Sequence, residues 1–212
     1  MAWDTERTKR LLLDAATAEF SEHGLAGARV DRIAAAAGVN KERIYQYFGN
    51  KESLFETVLG TRLVNLIDTV PMVSAEGDAV GAAAVADYVG RLFDHHLADT
   101  TIPRLIFWEG LELGDIELPP DRVASHDQKL DTLQRMLPGV GRRATGELLL
   151  TIVTLVNAFP VLAQLDRQMT GGETAAGGHD RRLAERRAII VDAVAALAQA
   201  AIDRAAAGDA SD

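Results

Sequence analysis

Between residues 41 and 51 the chain gathers side chains suited to bonding phosphates and base edges: Lys41, Glu42, Arg43, Tyr45, Gln46, Tyr47 and Lys51. Set on a helix at about 100° per residue with Ile44 turned inward, Phe48 also faces inward, while Glu42 and Gln46 point directly away from the core. Arg43 and Tyr45 flank that outward direction, and Lys41 and Tyr47 lie at its rim. Such a face offers cations, an amide and phenol hydroxyls, the groups that contact phosphate oxygens and base edges in a groove. Lys51 opens the next helix, where backbone N–H groups and a cation can share one phosphate.

A face of this kind needs a rigid mount. The preceding segment, VDRIAAAAGVNKERI from Val30 to Ile44, supplies Ala34 where two backbones approach, Gly38 for the turn, and Ile44 as an apolar anchor beside Ile33 and Val39. The spacing fits a helix-turn-helix that reads DNA, and also an ordinary corner between two helices. The polar outward face on the second helix favours the first. Helices are predicted over 5–23 with Gly24 as its stop, 30–37, 40–48 with Asn40 as N-cap, and 51–70 ended by Pro71. Five more are expected at 79–98, 102–114, 121–137, 143–169 and 179–207. Their loops carry Pro119-Pro120, Pro138-Gly139 and Gly171-Gly172.

LLDAATAEFSEHG and VDRIAAAAGVNKERIYQYFGNKESLF, within residues 11–55, resemble the DNA-binding domain of the TetR (tetracycline repressor-like) family. The order Ile-Ala, Ala-Gly-Val, Ile-Tyr-x-Tyr-Phe and Lys-x-x-Leu occurs in register. The resemblance implies an all-α fold: a three-helix head over residues 1–50, then a helical ligand-binding and dimerisation domain over 51–212, and no enzymatic activity. It implies phosphate contacts from Tyr45, Tyr47 and Lys51, and contacts to bases or nearby backbone from Lys41, Arg43 and Gln46. Two positions depart from the family pattern. Ala28 and Arg29 stand where a capping Thr or Ser is common, which leaves Arg29 to bind phosphate directly. Glu42 stands where a small residue is common; it accepts from a cytosine amine, pairs with Arg43 or Lys41, or only supports the helix.

Composition agrees with a helical protein, since 48% of residues are hydrophobic and 5% aromatic, Ala dominates the apolar set, and no long strand-like alternation occurs. The net charge of −9 is unevenly spread. Eight basic and seven acidic residues up to Lys51 leave that segment at +1 and the rest at −10. An acidic body repels DNA, so only the N-terminal segment can face it. The chain has no cysteine, which excludes disulfides and thiolate metal sites. With a polar N-terminal segment in place of a secretory signal, this points to the cytoplasm. The uncharged run 148–165 contains Thr151, Thr154, Asn157, Pro160 and Gln164, and reads as a buried helix rather than a membrane span.

In the body, Phe107, Trp108 and Glu112, with Phe93, His96 and Asn157, are the candidate ligand-binding residues, because aromatics with a few polar groups make a small-molecule site. Phe107 and Trp108 serve equally as core. The buried amide of Asn157 needs a partner, such as a ligand, a second subunit or a carbonyl freed by Pro160. Adjacent His95 and His96 diverge by about 100° on a helix and chelate poorly, so no metal or other cofactor is expected. Leu155, Leu162, Ile190, Val194, Leu197 and Ala201 form stripes on the last two long helices and are the candidate dimer interface. The same stripes would also suit an intramolecular core. The expected whole is a cytoplasmic homodimeric repressor on a palindromic double-stranded operator, released by a small-molecule effector and independent of membranes.

Overall fold

A computed structural model describes residues 2–73, 79–114, 117–171 and 178–209. Among them are ten helices and no strand: α1 (Ala2–Gly27), α2 (Val30–Ala37), α3 (Glu42–Phe48), α4 (Lys51–Thr69), α5 (Ala82–Ala98), α6 (Thr101–Glu112), α7 (Pro120–Met136), α8 (Arg142–Val161), α9 (Ala163–Thr170) and α10 (Gly178–Asp209). They pack as two compact units, residues 1–65 with 100–119, and residues 66–99 with 120–212. The units therefore do not divide after residue 50. The first keeps most of α4 and recruits α6, which lies against α1.

In the first unit, Leu12, Ala16 and Phe20 recur every four residues on α1 and are buried. Phe20 meets Phe55 of α4 edge-to-face at 5.2 Å, a favourable arrangement for two ring quadrupoles. Leu54, Val58 and Leu59 of α4, Ile33 and Ala34 of α2 and Ile44 of α3 complete this core. Gly24, the expected stop of α1, breaks it at φ 69°, ψ −177°, and one further turn reaches Gly27. Gly38 ends α2 at φ 66°, ψ 32°, and its N–H bonds the carbonyls of Ala34 and Ala35. A residue with a Cβ resists both conformations.

One expected cap is corrected. Asn40 gives α3 its carbonyl, which accepts from Arg43 N–H at 3.0 Å, while the cap position is Lys41 and carries no side-chain bond. The neighbouring helix does have one: Asn50 Oδ1 accepts from Ser53 N–H at 2.7 Å and caps α4.

In the second unit, α5 is buried through Val85, Val89, Leu92 and Phe93 against α10 and α8. Gly90 admits the Arg187 guanidinium of α10, whose Nη2 lies 2.5 Å from where a Cβ would stand. The single helix expected over 143–169 is two, α8 and α9. Pro160 has no N–H to continue the ladder, and Leu162 breaks the helix at φ −96°, ψ 27°. By length and composition α8 is apolar enough to cross a membrane, but its Leu148, Ile152, Val156 and Phe159 are buried among the other helices of its unit.

Candidate nucleic-acid interface and ligand cavity

The helix-turn-helix holds α3 with Ile44 completely buried and Lys41, Glu42, Arg43, Tyr45 and Gln46 exposed. Tyr47 and Lys51 are half-buried at the rim, and Arg29 is exposed before α2. The eight candidate contacts thus lie in one unit, on α3 and at the starts of α2 and α4. Arg43 Nη1 donates to Gln46 Oε1 and to Tyr47 Oη, each at 3.2 Å, with its guanidinium 5.9 Å from the Tyr47 ring centre. Lys41 Nζ sits 3.4 Å from Asp31. Neither cation pairs with Glu42, which has no ion-pair partner among the described residues. Lys51 Nζ donates to Ala28 O at 3.3 Å, so its charge sits at the entry to α2.

Sequence reasoning missed two residues here. Lys9 of α1 places its ammonium 5.8 Å from the Tyr47 ring centre and adds a cation beside α3. Glu19 of α1 replaces the absent cap of α2: its Oε1 accepts from Arg29 N–H at 2.8 Å and from Arg32 Nε at 2.7 Å. Burial alone would raise the Glu19 carboxyl. The bonds from Arg32 and the Arg29 amide, with the charges of Arg32 and His23, outweigh it and hold the group below the usual carboxylate range. The missing Ser or Thr at α2 was the available signal, because a bare helix end calls for an acceptor from elsewhere.

The candidate ligand residues are divided between the units. Trp108 and Glu112 belong to the first: Trp108 Nε1 donates to Ser21 O at 3.4 Å and the Glu112 carboxylate accepts from Ala26 N–H at 2.9 Å. Arg104 of the same helix donates to Ser21 O and, at 3.1 Å, to Glu22 O. A Cβ at Gly24 would lie 2.8 Å from both Trp108 and Glu112, so the break in α1 is shaped by α6. Phe107, also on α6, is half-buried.

The other three are in the second unit. Phe93 stacks on Phe159 at 5.7 Å. His96 is buried, and burial holds its imidazole down at about 4, with the charge of His95 adding, Asp99 opposing and Lys129 adding. Asn157 Nδ2 donates to Val153 O at 2.7 Å, its own preceding turn rather than the carbonyl freed by Pro160, and Oδ1 has no partner among the described residues. None of the six lines the unit's cavity. That cavity, of about 250 Å³, is bounded by the last turn of α4, the residues after it, Tyr88 of α5 and one face of α7.

Of the six stripe residues, Ile190, Val194 and Ala201 are buried within the chain's own second unit, which corrects their assignment to an outer surface. Leu162 and Leu197 are exposed and Leu155 is half-buried.

Residues 12–58 match the family of bacterial regulatory proteins described as the tetR family, and residues 84–195 match the tetracyclin repressor-like C-terminal domain. The HTH-type transcriptional repressor SCO4008 of Streptomyces coelicolor is 38% identical over 179 residues, 82% of this chain and 89% of that one. The crystal structure of SCO4942 from Streptomyces coelicolor superposes with TM-score 0.62 at 31% identity, covering 88% of this chain and 96% of that one. FadR from Bacillus subtilis, in complex with stearoyl-CoA, shares the fold with TM-score 0.66 at 20% identity, over 88% and 97% of the two chains.

Proposed function

The chain belongs to the tetR family of bacterial regulatory proteins and is a DNA-binding transcriptional regulator rather than an enzyme, and we propose that it is a repressor released from a palindromic operator by a small molecule. The observation that carries this reading is α4. Its first residue, Lys51, bonds the entry to α2, and Leu66 and Ile67 of its last turn border the cavity, with Val70 just beyond its end. A molecule in that cavity touches the helix that also carries a phosphate-binding residue.

On DNA, Arg43 and Gln46 read base edges, and Lys41 reads bases or the backbone beside them. Tyr45, Tyr47, Lys51 and Arg29 hold phosphates. Glu42, with no ion-pair partner among the described residues, accepts from a cytosine amine. Reading a palindrome requires two heads, and the exposed Leu162 and Leu197 with Leu155 supply an isologous interface for a homodimer. The site of action is the cytoplasm, with the chromosome.

The effector need only prefer the state that does not bind DNA. A coupling of about 1–3 kcal/mol lowers operator affinity by roughly 5–150-fold, and operator must then weaken effector binding by the same factor. Footprinting of genomic fragments retained by the protein tests the first half. Two symmetric protected half-sites, one helical turn apart or a multiple of it, are expected. Retention of all fragments alike would overturn operator recognition. Equal effector affinity with and without operator would overturn release.

A further inference from the structure

The cavity's lining contrasts with the chain around it. The protein carries a net charge of −9, yet no Asp or Glu is found among the described residues that line this space, while Lys129 and Arg135 of α7 both do. They stand six residues apart on the helix, about 120° around its axis, with Thr132 between them. Arg135 Nη2 donates to Thr132 Oγ1 at 3.0 Å. Leu66, Val70 and Met72 are buried and make the apolar wall. The carbonyls of Pro71 and Met72, which could have attracted a cation, are taken by Arg91 at 2.7 and 3.4 Å.

Lys129 has no ion-pair partner among the described residues. Burial, and then the like charge of Arg122, lower its ammonium below the ordinary lysine range. A half-buried cation near a like charge is stabilised when an anion joins it. Tyr88, next to this space, has its phenol pushed up to about 12 by burial, with Arg91 pulling the other way. It therefore stays protonated and is able to donate.

We infer that this cavity selects an amphipathic anion, its apolar body against Leu66, Val70 and Met72 and its acidic head on Lys129 and Arg135. The inference rests on the reading of the cavity as the effector site. An apolar cavity of about 150 Å³ accommodates benzene, so about 250 Å³ suits a ligand of roughly ten non-hydrogen atoms. A cationic amphiphile of the same length meets two like charges, and a neutral one leaves Lys129 unpaired.

Calorimetric titration of the full chain, without DNA, tests this with octanoate, octyl phosphate, octanol and octylammonium. Both anions should bind at least about tenfold tighter than octanol, the worth of one charge-assisted hydrogen bond, and octylammonium should bind more weakly than octanol. The ratio of octanoate to octyl phosphate then identifies the head group. Lys129→Met should erase the advantage of the anions while leaving octanol affinity unchanged. Lys129→Arg should restore it, and the exposed Arg135→Gln should reduce it without affecting the fold. Tighter binding of octylammonium, no binding of either anion at millimolar concentration, or an undiminished anion preference in Lys129→Met would overturn the inference. Octanoate that binds as described but leaves operator affinity unchanged would overturn release by this ligand alone.

Discussion

The two units hold their positive charge in opposite ways. In the first, Lys41, Arg43 and Lys9 lie at the surface, held by an aspartate, by the acceptors of Gln46 and Tyr47 and by the face of an aromatic ring. These are weak, solvent-screened tethers that a phosphate displaces at little cost. In the second, Lys129 is half-buried, its ammonium lowered by burial and by the charge of Arg122, and it has no ion-pair partner among the described residues. The surface arrangement suits a polymer of many phosphates. The half-buried one suits a single small anion, and partial withdrawal from water gives each interaction there more weight.

The difference between surface and enclosed positions is sharpest on α10. Val194 is fully buried and Leu197 is 44% exposed. Val194→Asp would bury an unpaired carboxylate and cost about 3–5 kcal/mol, seen as loss of cooperative thermal unfolding. Leu197→Asp should keep its helical circular dichroism and shift light scattering from dimer to monomer. An intact dimer would remove Leu197 from the interface.

The next effect is the acid sensitivity of the body. The His96 imidazole is held at about 4 against an ordinary 6.5, so the folded state favours the neutral ring. That contribution is complete above pH 6.5 and is lost as pH falls from 6.5 to 4, about 3 kcal/mol in all. Urea titrations at pH 7 and pH 4 should show a smaller acid loss in His96→Gln than in the parent chain. Equal losses would place the acid sensitivity elsewhere.

In the head the expected changes are smaller. Gly24→Ala forces a Cβ into a conformation nearly exclusive to glycine and against Trp108, for about 1–3 kcal/mol. Its thermal midpoint should fall further than that of Gly38→Ala, whose Cβ meets open space. Glu19→Gln weakens the acceptor that caps α2, at about 1 kcal/mol. Because the folded-state carboxyl is depressed, its contribution is present above the unfolded pKa and lost as pH falls through the folded one. The gap between Glu19→Gln and the parent should therefore narrow in acid. A gap constant with pH would show that the charge of Glu19 plays no part.

The same contrast explains what could be read from the sequence. Helix α2, the Gly38 turn and the inward Ile44 follow from local periodicity and one conformational requirement, and the outward face of α3 follows from Ile44 by rotation. The cap from Glu19 bridges ten residues, and Trp108 reaches Ser21 across 87. No local pattern encodes either. Trp108 and Phe107 resembled a pocket because aromatics with nearby carboxylates serve pockets and helix packing alike. An apolar stripe says that a face is covered without saying by which chain, so Ile190 and Val194 fitted an interface as well as the core they occupy. The cavity draws its wall from three separate segments and could be located only in three dimensions.

The central claim is that the exposed face of α3 reads sequence while the start of α4 anchors the backbone. Its most direct test is the affinity of Arg43→Ala and Lys51→Ala for operator and for scrambled DNA across a range of salt. Arg43→Ala should lose about 1–3 kcal/mol on operator and much less on scrambled DNA. Lys51→Ala should weaken both equally and flatten the salt slope by about one. Parallel losses on both DNAs in the two variants, or unchanged operator affinity in both, would contradict the account.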